Sequence, residues 1–127
     1  MHSIVNDPKW HRCRPYIEAA IAQSPGYETI EDVEGLIDVG DYQFWPAPQS
    51  AVVTEISKYR RRKVLTVVHG GGDLKELLEY VEPALCIYAK SIGCDAISGV
   101  GRRGWDRECK KRGYRFAHLS MIKDLTP

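Results

Sequence analysis

One short stretch, His69-Gly70-Gly71-Gly72-Asp73, combines the residue types best suited to acid–base chemistry and anion binding. A histidine imidazole gains and loses a proton near neutral pH, so His69 is a candidate general base. Three glycines allow the backbone to approach a ligand closely, and amides at the start of a helix bind anions. Asp73 can also cap that helix, where its carboxylate would compete for the same amides. The stretch predicts either an anion cradle or a strand-to-helix corner, and Asp73 favours the corner.

Two helices are expected before any strand. Asp7-Pro8 matches an N-cap followed by proline at the first helical position, and apolar residues then recur at helical spacing. Thr29 and Asp32 form a capping-box pattern ahead of a second apolar face. These patterns predict one helix over residues 8–23 and a shorter helix that starts after Thr29.

Three β-rich runs follow, at residues 42–45, 51–56 and 63–69. The last two runs flank a basic turn, so they are predicted to form an antiparallel hairpin with its tip in solvent. The tip contains Arg60, Arg61, Arg62 and Lys63. These cations form a candidate contact surface for acidic proteins or phosphate groups, although a solvated turn would have the same composition.

The second half of the chain alternates helices and strands. An apolar stripe predicts a helix over residues 73–92, with a kink at Pro83. A strand at 94–100, a basic helix at 103–112 and a last strand at 114–122 complete the order α-α-β-β-β-α-β-α-β. This order predicts an α/β (α+β) fold with a mixed, mostly antiparallel central sheet flanked by helices.

Composition limits the classes of function. The 127 residues predict one domain over 1–127, and the formal net charge of +1 argues against sequence-specific nucleic-acid binding. No apolar run has the length of a membrane span or a signal peptide, so we expect a soluble, intracellular protein. The four cysteines form no C-x-x-C pair and have no histidine at zinc-ligand spacing, which predicts reduced thiols and no metal site.

The segment RRGWDRECKKRGYRF, residues 102–116, resembles a helix motif common in the GNAT superfamily of N-acetyltransferases. That motif has the form N-x-x-A-x-x-L-Y-E-K-L-G-F and joins two late strands, and Gly113-Tyr114 takes the place of its Gly-Phe. The order of elements is similar to the GNAT fold over nearly the whole chain, with the usual first strand shortened or absent. The resemblance implies a single GNAT-like domain.

The resemblance also implies a place for acetyl-CoA. Its pyrophosphate would rest on the amides of Gly70, Gly71 and Gly72, where the family pattern is R/Q-x-x-G-x-G/A. This chain lacks the arginine or glutamine and has an aspartate after the glycines. Arg102 and Trp105 stand at the Asn and Ala positions of the helix motif and are further candidate cofactor contacts, with Trp105 able to fill space that pantetheine would cross.

Catalytic candidates follow from the same resemblance. Cys109 aligns with the tyrosine that many family members use as general acid, although a helical cysteine is also a common small core residue. His69 and Glu55 lie on strands from which this fold often presents a general base, and His69 is the better candidate because its ordinary pKa is near neutral.

The phrases QFWP, VVTEI and GRRGW are similar to the compact GNAT-like proteins of tailed bacteriophages and prophages. This resemblance implies a virion-associated or head-assembly component with a degenerate acetyl-CoA site. Phage structural proteins or host proteins would be its partners, in the host cytoplasm or in the virion. The alternative is an active acyl-CoA-dependent N-acetyltransferase that acts on a protein or a small amine.

Overall fold

A computed structural model describes residues 3–100, 104–118 and 120–126. In chain order the elements are a 3-10 turn (Ile4–Asn6), α1 (Pro8–Ala22), α2 (Ile30–Asp38), β1 (Tyr42–Ala47), β2 (Ser50–Lys58), β3 (Lys63–Gly72), α3 (Leu74–Glu76), a π-helical turn (Leu77–Val81), α4 (Glu82–Ser91), β4 (Ala96–Gly99) and α5 (Asp106–Lys111). The predicted order of helices and strands is confirmed up to α5.

Side-chain caps fix the starts of α1 and α2, as the sequence predicts. Asp7 accepts a hydrogen bond from the amide of Lys9 at 2.8 Å. Thr29 and Asp32 close a reciprocal capping box, with hydrogen bonds of 3.1 and 2.9 Å. Each cap satisfies amides that have no partner inside the helix, so these short polar residues set where the helices begin.

Asp38, the last residue of α2, ties the N-terminal turn to the domain. The amide of Ile4 donates to one carboxylate oxygen at 2.6 Å, and the hydroxyl of Ser3 donates to the other at 2.7 Å. The hydrogen bond from Ile4, followed by that from Ser3, lowers the pKa of Asp38 because both favour the ionised carboxylate.

The four strands form one mixed sheet in the order β1-β2-β3-β4. β1, β2 and β3 are antiparallel neighbours, whereas β4 pairs parallel with β3. The predicted hairpin around the basic turn is confirmed, and the amide of Tyr59 closes the turn by donating to the carbonyl of Arg62 at 2.8 Å. All three antiparallel strands are longer than the sequence indicates, and β3 extends through Gly72.

The predicted helix over residues 73–92 is one helical run of three parts, α3, the π-helical turn and α4. The amide of Glu82 bonds to the carbonyl of Leu77, five residues earlier. Pro83 follows directly and has no amide hydrogen to continue an α-helical pattern. The irregularity expected at Pro83 therefore occurs as a π-helical turn just before the proline.

Helices cover both faces of the sheet and enclose two apolar clusters. The first cluster lies under α1 and α2, and its buried members are Trp10, Cys13, Ile17, Val33, Tyr42, Ala51 and Val53. The second lies under the π-helical turn and α4, and its buried members are Ala47, Val52, Leu65, Leu77, Val81, Leu85 and Ala89. In the first, the indole N–H of Trp10 donates to buried Glu34 at 2.6 Å and joins α1 to α2.

The last predicted strand, at residues 114–122, is wrong for the part of it that the structure describes. Residues 114–118 and 120–122 are irregular and form no ladder with the sheet. A strand requires a partner, and apolar alternation alone does not supply one. Arg103, the predicted start of the preceding helix, lies outside the described residues, and that helix begins at Asp106.

Among the described residues, no helix has the length and apolar character needed to cross a membrane.

Candidate functional site

A bulge in β3 determines which way His69 points. Val53 of β2 pairs with His69 and Thr54 pairs with Val67, so Val68 has no partner of its own. The side chain of Val67 packs in the cluster under α4, whereas Val68 packs against the cluster under α1 and α2. His69 also points to the α1 and α2 side, where strict alternation would have sent it to the opposite face. The bulge thus places two consecutive side chains on one face.

His69 belongs to a hydrogen-bonded network with Glu28 and Tyr42. The imidazole Nε2 lies 2.6 Å from Oε1 of Glu28, and the two side chains are only 6% and 16% exposed. The hydroxyl of Tyr42 donates to the same carboxylate, with both oxygens at 2.9 Å. A carboxylate facing Nε2 favours the proton on that nitrogen, which leaves Nδ1 as the acceptor of the ring.

Tyr42 remains protonated at neutral pH. Burial raises its pKa most, and the hydrogen bond and negative charge of Glu28 raise it further, as do the charges of Glu55 and Asp32. Glu55 pairs directly with Tyr42 across the β1–β2 ladder, so this predicted base candidate is a half-buried neighbour of the network. Tyr42 is consequently a permanent donor that holds the Glu28 carboxylate in place.

Gly70, Gly71 and Gly72 lie in the sheet rather than in a free loop. They pair with Val52, Ala51 and Ser50 of β2 and form the end of β3. Gly72 has φ of +102°, and a Cβ added there would lie 2.4 Å from the carbonyl oxygen of Gln49. Only glycine combines that backbone conformation with so close an approach of the β1–β2 turn.

The start of the helical run is held by its own side chains. Asp73 accepts from the amide of Glu76 at 3.2 Å, which confirms its predicted role as N-cap. Its own amide donates to the carbonyl of Gln49 at 3.0 Å. Glu76 in turn accepts from the amide of Gln49 at 2.9 Å and from the hydroxyl of Ser50. These bonds join the helix start to the β1–β2 turn, so the stretch is a tightly packed corner.

The outer edge of β3 is open beside this corner. Pairing with β4 extends only from Val64 to Val67, whereas β3 continues to Gly72. Among the described residues, none pairs with this half of β3 on the β4 side. A cleft of about 470 Å³ lies between the helix start and α5, and it is lined by Leu74, Lys75, Leu78, Glu79, Glu108 and Arg112. This part of the β3 edge can pair with an extended ligand, and the cleft begins at Leu74, two residues after β3 ends.

The structure does not gather the remaining predicted residues at one place. Trp105 packs against the apolar cluster under α4, and Arg102 lies outside the described residues. Cys109 is half-buried on α5, where burial, followed by the charges of Asp106, Glu82 and Glu108, raises the pKa of its thiol. The basic cluster of Arg60, Arg61, Arg62 and Lys63 is at the opposite end of β3, and its three arginines are exposed. Within the described parts of the chain, no group of three or more His, Cys, Asp or Glu side chains could hold a metal ion.

Sequence reasoning missed Glu28 and Tyr42. Glu28 lies in the loop before the α2 cap and is 41 positions from His69, so no local pattern links them. Tyr42 appears as an ordinary aromatic strand residue. The one signal available in the sequence was that Glu28 and Tyr42, both with polar groups, lie on either side of the short second helix. These two side chains must meet if α2 packs on the sheet.

Comparison with known proteins shows which fold the chain has but assigns it to no family. No protein-family model matches the chain, and no curated protein matches it in sequence. Among solved structures it is similar to the aminoglycoside acetyltransferase meta-AAC0020 from an uncultured soil metagenomic sample, in complexes with trehalose and with sisomicin. The TM-scores are 0.64 and 0.63, at 8% identity over 94% of this chain and 90% of that chain.

Two bacterial proteins are also similar. A tetramutant of the BH1408 protein from Bacillus halodurans gives a TM-score of 0.59 at 13% identity, over 85% of this chain and 86% of that chain. A point variant of TTHA1254 from Thermus thermophilus gives 0.60 at 12% identity, over 87% and 88%. At these identities the similarity concerns the fold alone. The expected mixed α/β fold is thereby confirmed, and it is similar to that of a solved aminoglycoside acetyltransferase.

Proposed function

We propose that this chain is an acyl-CoA-dependent N-acetyltransferase that acts on an amine. The observation that carries the proposal is the hydrogen bond between buried His69 and half-buried Glu28, on a strand whose outer edge beyond Val67 pairs with none of the described residues. Bulges often re-aim side chains beside active sites. The similarity of the fold to that of a solved aminoglycoside acetyltransferase also supports acetyl transfer.

The residues along this edge and the cleft suit part of acetyl-CoA better than the rest. The edge of β3 beyond Val67, which pairs with no described residue on the β4 side, suits the amide-bearing pantetheine arm, since its peptide groups can pair with those amides as a strand would. The corner at Asp73 suits the pyrophosphate poorly, because a carboxylate caps the amides. Lys75 and Arg112, which line the cleft, are the cations that would hold the phosphates instead.

The proposed reaction joins the amine nitrogen to the acetyl carbonyl carbon and breaks the carbon–sulfur bond. When bound, acetyl-CoA supplies the activated acetyl group and a thiolate leaving group. His69 Nδ1 accepts the proton that the amine loses, and Glu28 stabilises the resulting imidazolium. Cys109 is the candidate donor to the departing sulfur, because its raised pKa keeps the thiol protonated at neutral pH.

The test measures acetyl transfer to a panel of amines, including aminoglycosides and peptide amines, by mass spectrometry. His69→Asn should lower kcat by about 100-fold or more, the usual contribution of a general base, and Glu28→Gln should lower it less. His11→Asn, at an exposed position on α1, is the matched control and should leave the rate unchanged. Equal rates for the His69 and His11 variants would remove His69 from the mechanism.

A second candidate is a non-catalytic virion-associated or head-assembly component. The corner itself favours this role, because the carboxylates of Asp73 and Glu76 lie where the pyrophosphate of acetyl-CoA would have to bind. Stable, stoichiometric association with phage head proteins would support it. A host-protein partner that binds through Arg60, Arg61 and Arg62 would instead lose binding when all three arginines are replaced by alanine.

A further inference from the structure

The tip of the β2–β3 hairpin, residues 58–63, concentrates positive charge at one end of the sheet. Five of its six residues are cationic and none is acidic. Lys63 is held by the domain, because its ammonium group donates to the carbonyl of Ile92 and its amide donates to Asp95 at 3.0 Å. The three arginines at positions 60–62 are exposed, and they are the cations that the tip offers to a partner.

These arginines have no carboxylate partner in the parts of the chain that the structure describes. The cations of α5 differ, because Lys110 lies 3.9 Å from Asp106 and Lys111 lies 3.1 Å from Glu108. The tip thus carries three adjacent guanidinium groups whose charges are not neutralised. Like charges held this close repel one another, and a ligand with closely spaced anionic groups relieves that repulsion.

The backbone of the tip is ordered before any partner binds. The amide of Tyr59 donates to the carbonyl of Arg62 at 2.8 Å, and Lys58 pairs with Lys63 in the β2–β3 ladder. Binding therefore has to order side chains only, which lowers the entropy cost of association.

Tyr59 adds an aromatic ring to this group of cations. It is 66% exposed, and its ring packs against no other aromatic ring among the described residues. An exposed ring beside several guanidinium groups matches a nucleotide, which carries one phosphate and one flat base. An acidic peptide supplies negative charge but no base for the ring, and the bases of a duplex are already stacked on one another.

We propose that the hairpin tip binds single-stranded nucleic acid independently of its base sequence. Arg60, Arg61 and Arg62 contact phosphates, and Tyr59 stacks on a neighbouring base. The tip and Gly72 lie at opposite ends of β3, which spans about 30 Å over its ten residues. The proposal therefore does not depend on whether acetyl-CoA binds at the other end of the strand.

Fluorescence anisotropy tests the proposal, with a labelled oligothymidylate of about 20 nucleotides titrated with the wild-type chain. Three phosphate contacts to a single strand predict saturable binding with a Kd that rises roughly 20-fold between about 50 and about 200 mM salt. Replacement of all three arginines by glutamine should raise Kd at least about tenfold at about 50 mM salt and flatten this salt dependence. The variant should keep the melting temperature of the wild type, because the three side chains are exposed.

The matched control removes the same number of charges from α5, by Arg107→Gln, Lys110→Gln and Lys111→Gln. These positions are also exposed, and salt screens exposed charges that lie more than about 10 Å from the ligand, so Kd should change by less than about twofold. Tyr59→Ala should raise Kd about fivefold or more, whereas Tyr59→Phe keeps the ring and should leave Kd unchanged.

Absence of saturable binding at about 50 mM salt, or equal losses for the hairpin and α5 variants, would overturn the proposal. Equal affinity for a duplex of the same length would overturn it as well, since a duplex offers Tyr59 no open base. Displacement of the oligonucleotide by an equal charge concentration of polyglutamate, with no effect of Tyr59→Ala, would overturn it in favour of an acidic protein surface.

Discussion

Replacement of Gly72 by alanine tests whether the end of β3 packs tightly against the β1–β2 turn. At φ of +102° an alanine is strained by about 1–2 kcal/mol. Its Cβ would lie 2.4 Å from the oxygen of Gln49 and 2.6 Å from the Cα of Ser50, so the β1–β2 turn must move away. That shift weakens the two backbone hydrogen bonds of Gln49, each worth about 1 kcal/mol. The expected loss in the free energy of unfolding is about 2–4 kcal/mol.

Urea unfolding and thermal melting measure this loss, and for a chain of this size it corresponds to a fall in Tm of roughly 8–16 °C. Gly70→Ala is the matched control, because a Cβ there lies 3.5 Å from Val52, an ordinary contact, and φ is not positive. Gly70→Ala should change the free energy by less than about 1 kcal/mol. Equal losses for the two variants, or no loss for Gly72→Ala, would refute the close approach of the turn.

Three further predictions follow from buried or perturbed groups. Glu34→Ala removes the acceptor of the buried indole N–H of Trp10 and should lower the free energy of unfolding in urea by about 2–3 kcal/mol. Glu31→Ala breaks only an exposed ion pair and should lower it by under about 1 kcal/mol. Equal losses would contradict the buried contact. Burial raises the thiol pKa of both Cys109 and Cys86, so iodoacetamide at about pH 8 should label them more slowly in the folded than in the urea-unfolded chain, and equal rates would contradict this. The pKa of Asp38 is lower in the folded state, so its stabilising effect is complete above the unfolded pKa and is lost as pH falls through the folded pKa. Asp38→Asn should therefore lose less stability than the wild type between about pH 5 and about pH 3, and parallel losses would contradict the linkage.

Local signals in the sequence predicted most of the elements. Caps such as Thr29 and stripes of apolar residues act within one or two turns, so α1, α2 and the helical run were placed correctly. The end of β3 was not, because Gly70, Gly71 and Gly72 have low strand propensity and are held in the ladder by β2. The predicted strand at 114–122 failed for the opposite reason, since its residues favour a strand but those that the structure describes pair with none of the four strands.

The candidate site was predicted in part. His69 was selected from its residue type and its position at a strand end, and it proved to be buried and hydrogen-bonded. Glu28 and Tyr42 were not selected, because Glu28 meets His69 only in the tertiary fold, 41 positions away, and Tyr42 contacts Glu28 from β1. The bulge at Val68 decides which face His69 occupies, and a single extra residue in a strand leaves no mark in the apolar pattern. Local sequence thus identified the base candidate, and tertiary packing supplied the groups that orient it.

Titration of the wild-type chain with acetyl-CoA by isothermal calorimetry tests the central proposal most directly. The open edge of β3 and the cleft beside Lys75 and Arg112 predict saturable binding at one site per chain, with Kd below about 1 mM. Lys75→Gln should weaken that binding while leaving the unfolding curve unchanged, because Lys75 is exposed. Absence of any saturable heat at millimolar acetyl-CoA would contradict the acetyltransferase account and leave the non-catalytic assembly role as the better explanation.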